Sequence, residues 1–322
     1  LGGAFRYMIL KRGNTRRRRI AAVGMYDGVH RGHRFLLDYM RLEAKQRALA
    51  SAAVTFHDHP LSVVRPDDAP KLLTSPDDKF QLLEASGADD VIILDFDDKM
   101  RHMTARQFLR MLKRRWAIDA LVVGFNNRFG RDRLEGIDQY KAIGKEIGID
   151  ILEAPEYKGK GAPVSSSIIR RHLSEGLIEE ASTALGRPYK IKGQVVDGRR
   201  LGRTLGFPTA NVDPIPVNAV LPLFGVYVAI ATTPDGVRHP AVVNIGRRPT
   251  VEEDPEAAPV TIEAHIIDYA GYLYGSMLEL DFISYLRPEK KFPSIDKLRQ
   301  ALENDKKKAK AKLEKEGYMT KG

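Results

Sequence analysis

Two imidazoles three positions apart stand in the segment Gly24-Met25-Tyr26-Asp27-Gly28-Val29-His30-Arg31-Gly32-His33. The apolar run Ile20–Val23 before it reads as a buried strand, and Phe35-Leu36-Leu37 after it begins a helical pattern. Histidines at a strand-to-helix turn stand beside the exposed N–H groups of a helix start, a place that attracts anions. Gly32, without a side chain, lets a phosphate approach the backbone. The arrangement suits a nucleoside triphosphate, with Gly24, Asp27, Gly32, His30 and His33 forming the turn. Asp27 either orients the turn or helps hold a metal.

Two further clusters carry chemistry. In Val164-Ser165-Ser166-Ser167-Ile168-Ile169-Arg170, hydroxyls open a helix and Arg170 follows one turn in. They can satisfy backbone donors and grip phosphate oxygens; taken alone, they also describe a serine cap and a surface arginine. The third cluster is Gly198-Arg199-Arg200-Leu201-Gly202-Arg203-Thr204-Leu205-Gly206-Phe207-Pro208-Thr209-Ala210-Asn211. A glycine- and arginine-rich loop can lay backbone N–H groups against phosphates. Pro208 stiffens the chain before Thr209 and Asn211, whose oxygens suit Mg²⁺.

These groups need a scaffold, and the chain offers two. In the first half, strand-like runs at Ala52–Phe56, Val91–Leu94, Ala120–Gly124 and Ile149–Leu152 alternate with helix-length stretches at Pro76–Ser86, Thr104–Trp116 and Ile137–Ile147. Thr104 and Gln107 form a capping-box pattern. The βαβα order predicts a parallel sheet with helices on both faces and ligands at the carboxyl ends of the strands. After Leu185-Gly186-Arg187-Pro188 the pattern turns to strands: Tyr189–Val196, Gly225–Thr232, His239–Ile245, Val260–Asp268 and Met277–Tyr285. Short strands without intervening helices predict a small antiparallel barrel, followed by one long helix from about Ser294 to Glu316. The domains divide as residues 1–184 and 185–322.

Composition narrows the function classes. A chain of 322 residues accommodates two domains. The absence of cysteine excludes disulfides, thiolate metal sites and cysteine nucleophiles. No apolar run approaches the roughly 20 residues a membrane span requires, so a cytoplasmic protein without membrane contact is expected. The formal charge of +10 comes largely from Arg16–Arg19 and from Lys306, Lys307, Lys308, Lys310 and Lys312. Asp305, Glu314 and Glu316 interleave the second run, which reads as a solvated helix face. A basic balance also suits an enzyme whose substrates are polyphosphates, and no nucleic-acid partner is expected.

In their order, these segments resemble the prokaryotic bifunctional riboflavin kinase/FMN adenylyltransferase family, the FAD synthetases, over nearly the full chain. The family's first signature is similar to Gly24–His33, its phosphate loop to Ser165–Arg170, and its junction to Leu185–Tyr189. The kinase signature resembles Leu205–Asn211. Gly225-Val226-Tyr227, Asn244-Ile245-Gly246, Pro249-Thr250, Glu263–Asp268, Tyr274-Gly275, Leu286-Arg287 and Lys291-Phe292 continue it. Two segments depart from the pattern. Asp58 replaces a proline in Phe56-His57-Asp58-His59-Pro60, and Asn126 and Asn127 replace acidic and aromatic residues in Gly124–Gly130.

The resemblance implies a Rossmann-like nucleotidyltransferase domain of the HIGH superfamily and a riboflavin kinase barrel. In the first, the FMN phosphate would attack the α-phosphorus of ATP, giving FAD and pyrophosphate. His30 and His33 would stabilise phosphoryl charge, while Ser165, Ser166 and Arg170 hold the departing phosphates. In the second, riboflavin would take the γ-phosphoryl group of ATP. Glu263 would be the general base, Thr209 and Asn211 the Mg²⁺ ligands, and Gly198, Gly202, Gly206 and Thr209 the phosphate loop. Asn126 and Arg287 would contact flavin, and His57, His59 and His265 are further candidates. The expected partners are small molecules and the expected state a monomer or weak oligomer. Two alternatives stay open: a kinase with an impaired adenylyltransferase half, and a basic nucleic-acid-binding or flavin-sensing protein.

Overall fold

The computed structural model describes residues 7–10, 17–124, 128–132, 134–159, 163–198, 202, 205–215, 218–247 and 259–319. Its contacts divide into two compact units, residues 1–165 and 166–322.

Strands of the first unit are β1 (Tyr7–Leu10), β2 (Arg19–Val23), β3 (Ala50–Phe56), β4 (Asp90–Leu94), β5 (Ile118–Val123) and β6 (Asp150–Glu153), in sheet order β1-β4-β3-β2-β5-β6. All neighbours from β4 to β6 pair in parallel. β1 pairs antiparallel with β4 and adds an edge that the alternating pattern did not announce. Helices are α1 (Arg31–Gln46), α2 (Pro60–Val64), α3 (Pro76–Glu84), α4 (Asp98–Arg101), α5 (Ala105–Trp116) and α6 (Ile137–Ile147).

Successive strand residues point to opposite faces, and both faces are covered. Ala21, Val23, Val54, Leu121 and Val123 pack under Phe108, Leu112 and Trp116 of α5 and Tyr140 of α6. Ile20, Ala22, Ala53, Val91 and Val122 pack under Leu37 and Met40 of α1 and Phe80 and Leu83 of α3. The expected capping box opens α5: Thr104 accepts from the Gln107 N–H, and the Gln107 side chain accepts from Thr104 N–H. At the amino edge, fully buried Arg19 donates to Asp90 at 2.7 Å and to the Trp116 carbonyl at 3.0 Å. The order of the parallel strands reverses at β2, so the turn after Val23 leaves the sheet where ligands of such folds bind.

In the second unit, α7 (Ser166–Ser174) and α8 (Ile178–Leu185) precede a closed barrel. Its strands are β7 (Tyr189–Val196), β8 (Ala210–Pro214), β9 (Gly225–Thr232), β10 (Arg238–Arg247), β11 (Val260–Ile266) and β12 (Met277–Arg287), ordered β10-β11-β8-β7-β12-β9 and closed by β9 on β10. β8 escaped the periodicity because Ala-Asn-Val-Asp-Pro is a poor strand sequence; its pairing with β7 and β11 makes it. Tyr189, Tyr227 and Phe282 fill the interior, with ring centroids 5.3 Å and 6.3 Å apart across Phe282. Val226, Val228, Ile230, Val242 and Ile283 turn outward and pack against Ala309 and Leu313 of the last helix, Ile295–Lys315. That helix, capped by Ser294, therefore lies on the outer surface of the barrel.

Candidate active sites

The turn from Gly24 to His30 is held in an unusual backbone conformation. Tyr26 and Val29 have φ of 52° and 37°, and Gly28, between them, has φ of 83°. Non-glycine residues in this region store strain that the surroundings must offset, and the turn is tied down accordingly. The buried Asp27 carboxylate accepts the N–H groups of Leu73 at 3.0 Å and Thr74 at 3.3 Å, and Gly28 N–H donates to the Thr74 hydroxyl. Tyr26 donates its hydroxyl to the Ala22 carbonyl, and its ring lies so near Gly24 that a Cβ there would come within 3.0 Å. Asp27 thus has a demonstrable part in orienting the turn.

His30 caps α1: its Nδ1 accepts the His33 N–H at 3.3 Å, so in the neutral ring Nε2 carries the proton. The two rings stack 3.6 Å apart at 17°, and the edge of Tyr26 meets His33. Burial, and then the neighbouring His30, push the His33 pKa well below the ordinary histidine value. Its Nδ1 is buried without a hydrogen-bond partner. His33 therefore rests uncharged at the start of a helix, its free ring nitrogen able to gain a proton or exchange a hydrogen bond when phosphate arrives. A Cβ at Gly32 would lie 3.3 Å from the His30 ring and 3.7 Å from the Val164 carbonyl, so Val164 lies beside this turn. Ser165 precedes α7, while Ser166 and Arg170 lie on α7 in the second unit. Asn126 lies outside the described residues.

Lys79, on α3, was not legible as a site residue, because it occupies an apolar position of a helical pattern. It is 3% exposed, and its ammonium donates to the carbonyls of Phe56 at 2.6 Å and His57 at 3.4 Å. Burial pushes its pKa down to about 8, opposed by the Asp27 and Asp58 carboxylates. It fastens the end of β3 beside the turn-bearing edge. His59 caps α2, and exposed His57 lies 3.2 Å from Asp58.

The barrel gathers the kinase candidates on β8, β10 and β11. Register places Asn211, Glu263 and Asn244 in one row across the three strands. A Cβ at Gly198 would meet the Asn211 amide, so any larger residue there displaces that side chain. Gly202 accepts both the Leu205 and Phe207 N–H groups on its carbonyl, at 3.1 Å and 2.8 Å, and Gly206 in this loop has φ of 83°. Those two N–H groups are therefore used by the loop itself. Arg199, Arg200, Leu201, Arg203, Thr204, Pro249 and Thr250 lie outside the described residues.

A cavity of about 610 Å³ opens between the outer barrel surface and the last helix, lined by Thr209, Glu263, Phe207, Val242, Arg287 and Phe292 among others. A smaller hollow of about 300 Å³, with Tyr269, Tyr272 and Tyr274 on its walls, also includes Thr209. Arg287 forks onto the buried Asp305 carboxylate of the last helix at 2.7–3.2 Å and lies over Phe292. Its guanidinium is thus part of the cavity wall. The Glu289 carboxylate accepts from the Asn244 amide at 3.0 Å. Glu289, between the Leu286-Arg287 and Lys291-Phe292 segments, was not foreseen, and Asp305, expected on a solvated helix face, is instead buried against Arg287. The oxygens of Thr209, Asn211 and Glu263 fit a hard divalent cation. Among the described residues no group of three or more His, Cys, Asp or Glu could hold a metal, so water and phosphate oxygens would complete the shell around such an ion.

Comparison with known proteins agrees in both halves. The FAD synthetase family model matches residues 13–168, and the riboflavin kinase model matches residues 185–313. The bifunctional riboflavin kinase/FMN adenylyltransferase of Escherichia coli (strain K12) is 34% identical over 288 residues, covering 89% of this chain and 90% of that protein. The Pseudomonas fluorescens counterpart is 35% identical over 287 residues, with coverage of 89% and 90%. The Bacillus subtilis (strain 168) counterpart is 32% identical over 295 residues, with 90% and 91%. A crystal structure of a protein described as a macrolide-efflux protein from Streptococcus pneumoniae superposes with a TM-score of 0.82 at 25% identity, covering 92% of this chain and 95% of that one. Among the described residues of this chain, no helix is long and apolar enough to cross a membrane.

A nucleotidyltransferase-type α/β domain joined to an antiparallel flavokinase barrel is the class that fold and sites define. The chain belongs to the bifunctional riboflavin kinase/FMN adenylyltransferase family. Its activities are phosphorylation of riboflavin and adenylylation of FMN to FAD, with ATP, riboflavin and FMN as substrates.

Proposed function

We propose that riboflavin is phosphorylated where Thr209 stands between the two barrel hollows, one carrying Glu263 and the other three tyrosines. That shared position is the observation that supports the reading best. The larger cavity is of a size suited to a drug-sized ligand, and its Leu205, Phe207, Val242 and Phe292 suit a flat flavin ring. The tyrosine-lined hollow offers aromatic faces to adenine. Glu263 takes the proton of the attacking 5′-hydroxyl. Thr209 and Asn211 would hold Mg²⁺, which would supply charge neutralisation on the phosphates. Gly198, Gly202 and Gly206 shape the phosphate loop, and Arg287, clamped by Asp305, walls the flavin.

In the first domain, His30 and His33 donate to phosphoryl oxygens as the FMN phosphate attacks ATP. Gly24 and Gly32 give the backbone room, and Asp27 keeps the turn in place. Ser165, Ser166 and Arg170 hold the departing phosphates, and Asn126 contacts FMN. The functional boundary lies between residues 184 and 185.

Riboflavin, ATP and Mg²⁺ incubated with the chain should give FMN and then FAD by chromatography. His33→Ala should stop FAD formation and leave FMN formation nearly intact. Glu263→Gln should stop FMN formation and leave FAD formation from supplied FMN. A wild-type chain that accumulates FMN without FAD supports the kinase-only reading. Either substitution stopping both reactions in a folded protein overturns the division of labour.

A further inference from the structure

β8 and β11 pair at only two positions, Asn211 with Glu263 and Ala210 with Ala264. One step further the ladder reaches Thr209 and His265, and then Pro208, which has no N–H to contribute. Here a side chain takes over from the backbone: His265 Nδ1 lies 2.9 Å from the Pro208 carbonyl oxygen. A carbonyl only accepts, so Nδ1 carries the proton. The opposite nitrogen, Nε2, is buried without a hydrogen-bond partner, which suits a neutral ring whose Nε2 has no proton. Burial also holds the imidazole pKa below its ordinary value. The ring meets Phe207 edge-on at 5.3 Å, so the residue before Pro208 is gripped as well.

We propose that His265 is a positioning residue for the kinase reaction: its Nδ1–H fixes the Pro208 carbonyl and so sets where the Thr209 hydroxyl lies. The inference rests on the reading of Thr209 and Asn211 as cation ligands. The peptide joining Pro208 to Thr209 is planar, so a bond on the Pro208 carbonyl fixes the plane that carries the Thr209 nitrogen. Proline's own φ is already locked, which leaves few other ways to hold Thr209. Glu263 and His265 are two apart on β11 and share a face. The proton acceptor and the group that positions the cation ligand therefore ride on one strand.

Three substitutions in the full chain test this. His265→Phe keeps the ring against Phe207 and removes the donor; His265→Asn places an amide nitrogen close to where Nδ1 was. Thr209→Val measures the barrel's share of Mn²⁺ bound in the presence of ADP, followed by the electron paramagnetic signal of free Mn²⁺. His265→Phe should weaken that share, and lower kcat for riboflavin phosphorylation, by roughly tenfold or more, since a displacement near 1 Å can cost on the order of 100-fold. Its riboflavin KM and its FAD formation from supplied FMN should stay near wild type, and His265→Asn should recover most of the loss. Wild-type Mn²⁺ binding in His265→Phe overturns the proposal. So do equal losses in the Phe and Asn variants, which would mark simple packing, and a rise in riboflavin KM alone, which would assign the ring to the flavin wall. Should His265→Phe fail to fold, His265→Gln, with its donor displaced by one carbon, is held to the same expectation. If Thr209→Val binds Mn²⁺ and phosphorylates riboflavin normally, the cation assignment itself fails, which separates that failure from this one.

Discussion

The ammonium of Lys79 sits at the carboxyl end of β3 with two carbonyl oxygens for acceptors, and its charge depends on pH within a measurable range. Below pH about 8 both folded and unfolded chains hold the proton, and the fold bears the full cost of burying it. Between about 8 and 10.5 the folded amine is neutral while the unfolded chain still binds a proton, so stability rises with pH. The gain relative to Lys79→Met should reach about 3 kcal/mol, read from urea denaturation across that interval. Equal pH slopes in the two proteins would show that the amine is solvated in solution. His33 shows the same logic at acid pH. Its lowered pKa means that folding is disfavoured as pH falls through the ordinary histidine value near 6.5, where the unfolded chain binds a proton that the fold excludes.

At the scale of elements, the last helix is tied to the barrel by a buried fork as well as by its apolar contacts and the Lys306 and Lys310 pairs with Asp268. Arg287 ends β12, Asp305 lies on the helix at 2% exposure, and three N–O contacts of 2.7–3.2 Å join them. Asp305→Asn leaves the arginine charge unpaired against the cavity wall. Removing one member of a buried pair costs about 3 kcal/mol, so the barrel should unfold at lower urea and bind riboflavin more weakly. An unchanged midpoint would mean that the apolar contacts and the Asp268 pairs seat the helix without the fork. Such a fork has no signature in sequence, because a charged residue inside a lysine-rich helical run reads as one more solvated group. Strands and helices with strong periodicity were legible to within a residue or two, including Tyr189–Val196, Gly225–Thr232 and Ile137–Ile147. β1 and β8 were not, since each depends on a neighbouring strand rather than on its own composition. The histidine turn was legible because glycine and histidine types at a βα junction stand out in sequence as an anion-binding pattern. Lys79, Asp305 and the His265–Pro208 bond become visible only when distant segments meet.

Taken whole, the chain places its single tryptophan, Trp116, at 2% exposure at the end of α5, in the unit without the barrel. Trp116 fluorescence therefore reports the nucleotidyltransferase unit, and far-UV circular dichroism reports both. Riboflavin at about 100 times its Kd should stabilise its domain by about 2.7 kcal/mol. The dichroism transition of the barrel should move to higher temperature while the Trp116 transition stays in place. A concerted shift of both would show that the units unfold together. The same lone indole has an optical consequence. Flavin absorbs in the range where tryptophan emits, so a chain with riboflavin in its barrel carries its own energy-transfer donor and acceptor, one per unit. With riboflavin as the only flavin and no ATP present, quenching of that emission becomes a molecular ruler for the separation of the two units, without any label being attached.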